Sequence, residues 1–424
     1  MRPFSLCLGL IALLLLAHRA EADQILEQHF PSDGPPAKWE TKWKIIWGVE
    51  RHRGHSEVLY IKEAWFHRDR RDEKGIQVLG DSRLAEIFVP YVNGTRIYDI
   101  TNYNFGLCKI PRQALGPVCL GAPALYLRDG KVVETGGFVA KEIHDAGNRW
   151  WTPGLTFADG SERSRRGQEL HLWSILNAAN YRYIMLYVFG DDGTISFRLG
   201  ATGYNLYAGR TDANTHLHVG CWRINVVLDN QNAVEAKTVR FVSTEKGMRS
   251  VIKPFNDNVE GGIKWNPEEF MRLRLESTAV LNKHDPAHPV GYDLVPHVQG
   301  TGRLFGRDEK FTQHDLWVTP VDPMDKETNY RDLPKYVSQK RAINDGKGVV
   351  VWASAGLIHS TRDEDLGSEG DDPRGGGVRG GVATTSWVSF DLKPRNLFRR
   401  TPLFPGGVPE PAEAQPINPV DESR

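Results

Sequence analysis

"YRYIMLYVFGDDGTISFRLGATG", Tyr181 to Gly203, is the stretch whose reading decides the fold. Aromatic and β-branched residues run on both sides of "FGDDGTI", and an Asp-Gly pair between two such runs signals a hairpin. Side chains on a strand alternate between two faces, so Tyr181 and Tyr183 point the same way. The same pattern returns in "KWKIIWGVE", "EVLYIKEAWF", "ALYLRDGKVVETGGFVA", "HLHVGCWRINVVLDN", "DLWVTPV" and "KGVVVWASAGLIH", each bounded by Gly, Asp or Asn. Helical signals are few. The main one is "NPEEFMRLRLES", with Asn266 as a cap and Pro267 at the first helical position. The chain therefore reads as mainly β, a large sandwich with few short helices.

Outward from that core, the ends differ in kind. Arg2 precedes the short apolar run "LCLGLIALLLLA", and "AEAD" offers a small-x-small cleavage site after Ala22. Residues 1–22 are expected to be a signal peptide, and the mature chain to be secreted and soluble. No later apolar run is long enough for a membrane helix. Lys plus Arg number 53 and Asp plus Glu 53, so charge gives no footing for nucleic acid or an anionic membrane as partner. The remaining stretch is long enough for two ordinary domains or one large β domain. The reading here is a single domain over 23–402, interrupted by a flexible Gly- and Asp-rich loop at 363–381 and followed by a Pro-rich polar tail at 403–424. Asn93 begins an "NGT" glycosylation sequon in a turn-like stretch. Cys7 leaves with the leader. In an oxidising compartment Cys108 and Cys119 could form a disulfide across a short loop, leaving Cys221 as a buried thiol, but spacing alone does not decide this.

The residues able to carry chemistry lie on the strands. His216 and His218 in "NTHLHVG" stand at i and i+2, so a strand presents both imidazoles on one side, a metal half-site. "VGCWRINVV" then lacks the Glu and third His that a cupin-type site requires. His359, closing the apolar strand of "AGLIHSTRDED", is the candidate third ligand. Three neutral imidazoles with open positions suit copper(II), and also zinc. Taken alone, Asp99 in "IYDITNYNFG" is a turn residue and Tyr181 a packing residue.

Order adds what single residues lack. The chain runs "RLAEIFVPY", "YDITNYNFG", "CLG", "NYRY", "DGTISFRLGATG", "HLH", "HDLWVTP" and "GLIHSTRDED". This series resembles the catalytic domain of the copper amine oxidases, or primary-amine oxidases, from about Trp39 to Pro402. The resemblance implies a large antiparallel β-sandwich that works as a homodimer. It implies that His216, His218 and His359 bind copper(II) and that Tyr181 is oxidised in place to topaquinone. Asp99 would be the catalytic base, Tyr91 the tyrosine that hydrogen-bonds the cofactor, and Asn180 the asparagine preceding it. The implied reaction takes a primary amine and dioxygen to aldehyde, ammonia and hydrogen peroxide. A quinone carbonyl condenses with the amine, and a partly desolvated carboxylate removes the α-proton.

Several positions depart from the family wording. Arg182 stands where the family has an acid after the cofactor tyrosine, and Asn177 where it has Thr. The segment from Tyr91 to Asp99 is shorter, with "DITNY" for "DxGEY". Cys119 matches one half of the family disulfide, but Ala140 replaces the other half. Asn225 and Val227 replace the acidic pair that helps hold a peripheral calcium, so that ion is expected to be lost. Arg362, Glu364 and Asp365 are kept, but a Gly-rich loop follows them. The family's smaller N-terminal domains have no counterpart between the leader and Trp39. These departures leave two alternatives to amine oxidation: another chemistry on the same fold with Tyr181 unmodified, or a binding protein without turnover.

Overall fold

The computed structural model describes residues 23–398 apart from 33–39, 52–54, 71, 118, 153–161, 205–214, 283–285, 298–299, 304–307, 324, 326–328, 361, 363–364 and 366–382. The expected signal peptide, the polar tail and the 363–381 loop, Asp365 excepted, lie outside the described residues. The strands are β1 (Gln24–Phe30), β2 (Thr41–Arg51), β3 (Glu57–His67), β4 (Ile76–Leu79), β5 (Ser82–Pro90), β6 (Arg96–Tyr98) and β7 (Ala124–Tyr126). Next come β8 (Val132–Val133), β9 (Val139–Thr152), β10 (Arg163–Ala178), β11 (Tyr181–Gly190), β12 (Ile195–Gly203), β13 (His216–Ile224) and β14 (Val234–Thr244). The last are β15 (Gly247–Pro254), β16 (Gly261–Ile263), β17 (Arg272–Leu281), β18 (Pro289–His297), β19 (Leu316–Pro320), β20 (Val349–His359) and β21 (Ala383–Arg395).

All described pairings are antiparallel, in two sheets. One runs β1-β2-β3-β5-β13-β20-β19-β16, with β4 on β3 and β6 on β5. The other runs β15-β14-β17-β18-β21-β12-β11-β10-β9-β7-β8. The "FGDDGTI" hairpin forms as expected. Gly193 takes the left-handed conformation at its tip (φ 84°), and Gly190 N–H donates to Thr194 O at 2.8 Å.

Apolar faces of both sheets make one core, with Trp43, Trp47, Phe66, Phe189 and Phe197 near its middle. Two buried side-chain donors tie the sheets together. Trp43 Nε1 donates to Gly190 O at 2.8 Å, and Tyr187 Oη donates to Leu59 O at 2.9 Å. β13 and β20 are covered on both faces, because Phe88, Phe311, Trp317, Tyr330 and Trp352 form a second cluster behind them. Burial on both sides explains why "VVVWASAGLI" is nearly continuous in apolar character.

One expectation needs correction. Asn266 does cap, its side chain accepting from Glu268 N–H at 3.1 Å, but the helix ends after a single turn over Pro267–Glu269. Phe270 turns left-handed (φ 47°), and "RLRLES" continues as β17, where Leu273 and Leu275 enter the core. Period-two burial outweighed helical propensity there.

Candidate functional site

The two sheets contribute different parts of one buried cluster. In the first, β13 places His216 and His218 on one face, and the ladder sets His359 of β20 directly opposite His216. The i, i+2 spacing and one cross-strand pair thus bring three imidazoles together. In the second, β11 points Tyr181 and Tyr183 inward toward them. Tyr181 Oη lies 2.9 Å from His216 Nε2 and 2.6 Å from His359 Nδ1. His216 Nε2 and His218 Nε2 are 2.9 Å apart.

That spacing suits a metal. Two nitrogens each about 2.0–2.1 Å from one ion, at a right angle, are about 2.9 Å apart. The ligand atoms of the three histidines all lie within 4.8 Å of one another. Burial, and then the neighbouring imidazoles, hold His218 well below its ordinary pKa; burial also lowers His359, against the pull of Asp365. Both rings are therefore neutral, the form that binds metal. A carboxylate stands behind one ligand: Asp365 Oδ2 is 3.5 Å from His359 Nε2, and Arg362 grips Asp365 through its backbone N–H at 3.0 Å and its guanidinium at 2.9 Å. Glu364 lies outside the described residues.

The rest of the expected set converges here. Tyr91, just past β5, stacks on the His216 ring with centroids 4.4 Å apart. Asp99 follows β6, its backbone N–H bonded to Ile87 O and its carbonyl accepting from Ser56 Oγ. Its carboxyl is 6% exposed and burial pushes its pKa up to about 7, helped by the charge of Glu86 and opposed by a hydrogen bond from Tyr183. Asn180 works on the backbone: its Nδ2 donates to Tyr204 O at 2.7 Å and its carbonyl accepts from Tyr204 N–H at 3.1 Å. It closes the two-residue turn between Ala178 and Tyr181, in which Ala179 takes φ 54°. Gly203 faces Tyr181 across the β11–β12 ladder, where a side chain would strike the turn.

Two residues carry more than the sequence reading gave them. Tyr183 stacks on Tyr181 with centroids 5.9 Å apart, and its Oη lies 3.0 Å from His218 Nδ1 while hydrogen-bonding Asp99. It therefore links the expected base to an expected metal ligand; the shared face with Tyr181 was the available signal. Glu86, wholly buried in "LAEIFVPY", accepts from Ile87 N–H, Ile100 N–H and Thr101 Oγ1 and so fastens the Asp99 loop. Burial, against those hydrogen bonds, raises its pKa to about 7.

Other positions fall away from the cluster. Arg182 points out of the sandwich, donating to Ala179 O at 2.8 Å and to Tyr181 O at 2.9 Å. Asn93 sits exposed at the β5–β6 turn, its side chain accepting from Thr95 N–H. The Cys108–Cys119 disulfide is not formed, and Cys108, Cys119 and Cys221 are all free thiols. Cys108 is pinned to β10 through its N–H on Ile175 O, while Cys119 Sγ faces Gly116 O and Glu142 on β9. No helix among the described residues is long and apolar enough to cross a membrane.

Comparison with known proteins agrees with this geometry. The chain is similar to the histamine oxidase of Arthrobacter globiformis, 26% identical over 90% of this chain and 59% of that protein. It is also similar to copper amine oxidase 1 of Schizosaccharomyces pombe, 25% identical over 76% of this chain and 50% of that protein. In fold it resembles a copper-containing benzylamine oxidase from Hansenula polymorpha, with TM-score 0.63 at 19% identity over 86% of this chain and 60% of that one. A Pichia pastoris lysyl oxidase gives TM-score 0.60 at 16% identity over 86% of this chain and 52% of that one. The chain thus spans about half to three-fifths of these relatives' length. Residues 39–406 match the family described as copper amine oxidase, enzyme domain, and the chain belongs to that family.

Proposed function

We propose that this chain is the catalytic part of a secreted copper-dependent primary-amine oxidase, with Tyr181 as the precursor of topaquinone. The reaction converts a primary amine, dioxygen and water to aldehyde, ammonia and hydrogen peroxide. One observation carries the reading: Tyr181 Oη stands 2.9 Å and 2.6 Å from two nitrogens of a three-histidine metal set. Copper held by His216, His218 and His359 would let dioxygen oxygenate the adjacent ring and make it an electrophile for the amine nitrogen.

The chain's own groups do the rest. Asp99, with a pKa of about 7, accepts the proton from the amine's α-carbon near neutrality, and burial keeps water from competing for it. Tyr183 holds His218 by its Nδ1 and Asp99 by its carboxyl, fixing ligand and base relative to each other. Tyr91 limits tilt of the His216 ring and borders Tyr181 closely enough to oppose its ionisation. Asn180 clamps the turn that aims Tyr181. In this reading the mature protein is a homodimer with a glycan at Asn93.

The test is peptide mass spectrometry across Tyr181 on protein expressed with copper and air, with phenylhydrazine labelling in parallel. An oxygenated, hydrazine-reactive Tyr181 is the expected result. Unmodified Tyr181 in copper-loaded protein would overturn it.

A further inference from the structure

A second set of donor atoms lies elsewhere in the fold, on β9 and the segment before it. Cys119, Glu142 and His144 bring a thiol, a carboxylate and an imidazole within 4.8 Å of one another. Glu142 and His144 are i and i+2 on β9 and so share a face. Cys119 Sγ is 3.2 Å from Glu142 Oε1, and His144 Nε2 is 3.5 Å from Glu142 Oε2. Ligand atoms around a tetrahedral zinc stand about 3.4–3.6 Å apart, given its usual bond lengths. The thiol and the imidazole thus each stand at about that spacing from the Glu142 carboxylate, with all three donors within 4.8 Å of one another.

The surroundings hold each donor in place. Glu142 Oε1 accepts from Gly116 N–H and Oε2 accepts from Trp173 Nε1 at 2.8 Å, so the carboxylate is fixed through groups outside the cluster. The His144 ring lies flat against His171 with centroids 4.1 Å apart, and His171 Nε2 is 3.3 Å from Glu169. His144 Nε2 is shut off from water, with only the Glu142 carboxylate at 3.5 Å to answer it. A carboxylate and an imidazole held from outside the cluster, with a thiol set against Gly116 O beside them, is the pattern of a ligand set with its outer supports.

We propose that Cys119, Glu142 and His144 bind a divalent cation of the zinc class, with water as the fourth ligand. Binding forms a sulfur–metal bond and releases the Cys119 thiol proton to solvent, with no change of oxidation state. The mixed sulfur, nitrogen and oxygen set selects against calcium and magnesium, which require oxygen ligands. The ion fastens Cys119 to β9, at the cysteine whose family disulfide partner is Ala140 in this chain. The proposal is independent of the fate of Tyr181.

The experiment titrates the full, copper-loaded chain with Co2+ as a zinc surrogate. The expected result is a thiolate-to-cobalt absorption band that saturates at one equivalent and is displaced by Zn2+. Cys119→Ser removes the band, Cys108→Ser keeps it, and His144→Ala raises the Co2+ concentration needed to saturate it. Wild-type protein is also alkylated with iodoacetamide, and Zn2+ should slow modification of Cys119 but not of Cys108. A band that survives Cys119→Ser, or Cys119 alkylation that Zn2+ leaves unchanged in wild type, would overturn the proposal even if a variant failed to fold.

Discussion

Replacing Gly203 by Ala tests whether close backbone approach is what aims Tyr181. A Cβ at 203 would stand 2.3 Å from Asn180 O and 2.9 Å from Tyr181 Cα. Ordinary contact begins near 3.5 Å, so the shortfall at Asn180 O is about an ångström. Both obstructing atoms are main chain, and no rotamer can move them away. Overpacking of a core costs about 1–3 kcal/mol, and the upper end applies where only backbone can yield. For a chain of this size, with an unfolding entropy of ~2 cal/mol/K per residue, ~3 kcal/mol lowers Tm by about 4 °C. The functional cost is larger, because the turn displaced is the one that presents Tyr181 at 2.6 Å from His359. Misplacement by about 1 Å commonly costs on the order of a hundredfold in rate. The assay compares thermal melts and the yield of oxidised Tyr181 peptide in copper-fed protein. Gly300→Ala serves as control, since a Cβ there meets nothing within 4 Å and should be neutral. If Gly203→Ala melted and matured like wild type, the close approach would not be what positions Tyr181.

Four further outcomes are expected. His216→Ala should abolish both copper binding, read by metal analysis, and any quinone, read by phenylhydrazine; quinone that persisted would show the ligand assignment to be wrong. Amine turnover should rise with pH through an apparent pKa of about 7, the value of Asp99, and Glu86→Gln should move that limb to lower pH by removing a neighbouring negative charge. Stability should do the reverse: folded Asp99 and Glu86 keep protons up to about pH 7 that the unfolded chain releases near the ordinary carboxyl values of 3.8 and 4.5. The unfolded state then binds fewer protons in that window, so urea midpoints should fall between pH 4.5 and 7, less steeply in Glu86→Gln. Ala179→Gly should raise stability by about 1 kcal/mol in urea unfolding, because φ 54° strains alanine and suits glycine.

Strand content and the His216–His218 half-site were legible because both rest on period two, whereas the roles of Tyr91, Asp99, Asn180 and Tyr181 entered through the family resemblance. The hairpin at 181–203 and the His216–His218 face follow from alternation and turn residues alone, and the run to His359 from its continuous apolar character. Alternation along one strand says nothing about which strands become neighbours. The pairing of His216 with His359, some 140 residues apart, entered through family wording rather than through pattern. Tyr183 and Glu86 stayed unassigned for a related reason. Their roles depend on Asp99, His218 and Ile100, which reach them from other strands and loops. The short turn at 267–269 misled because a good cap and a first-turn proline are local signals, whereas the burial of Leu273 and Leu275 is a tertiary one.

The charge reversal at position 182 follows the same logic. Tyr181 and Tyr183 must both point into the sandwich, so the residue between them points out of it. A cation there cannot lie beside the Tyr181 ring without reversing the register of β11, which would carry both tyrosines away from the histidines. Arg182 instead bonds Ala179 O and Tyr181 O, taking up carbonyls of the tight turn that carries the tyrosine. An acid at 182 could not make those bonds, since carboxylates only accept. Arg182 therefore touches the turn and not the three-histidine cluster. Arg182→Ala should cost about 1 kcal/mol in stability for two partly exposed hydrogen bonds and leave Tyr181 oxidation intact. Loss of oxidation with stability unchanged would show that the arginine reaches the ring after all.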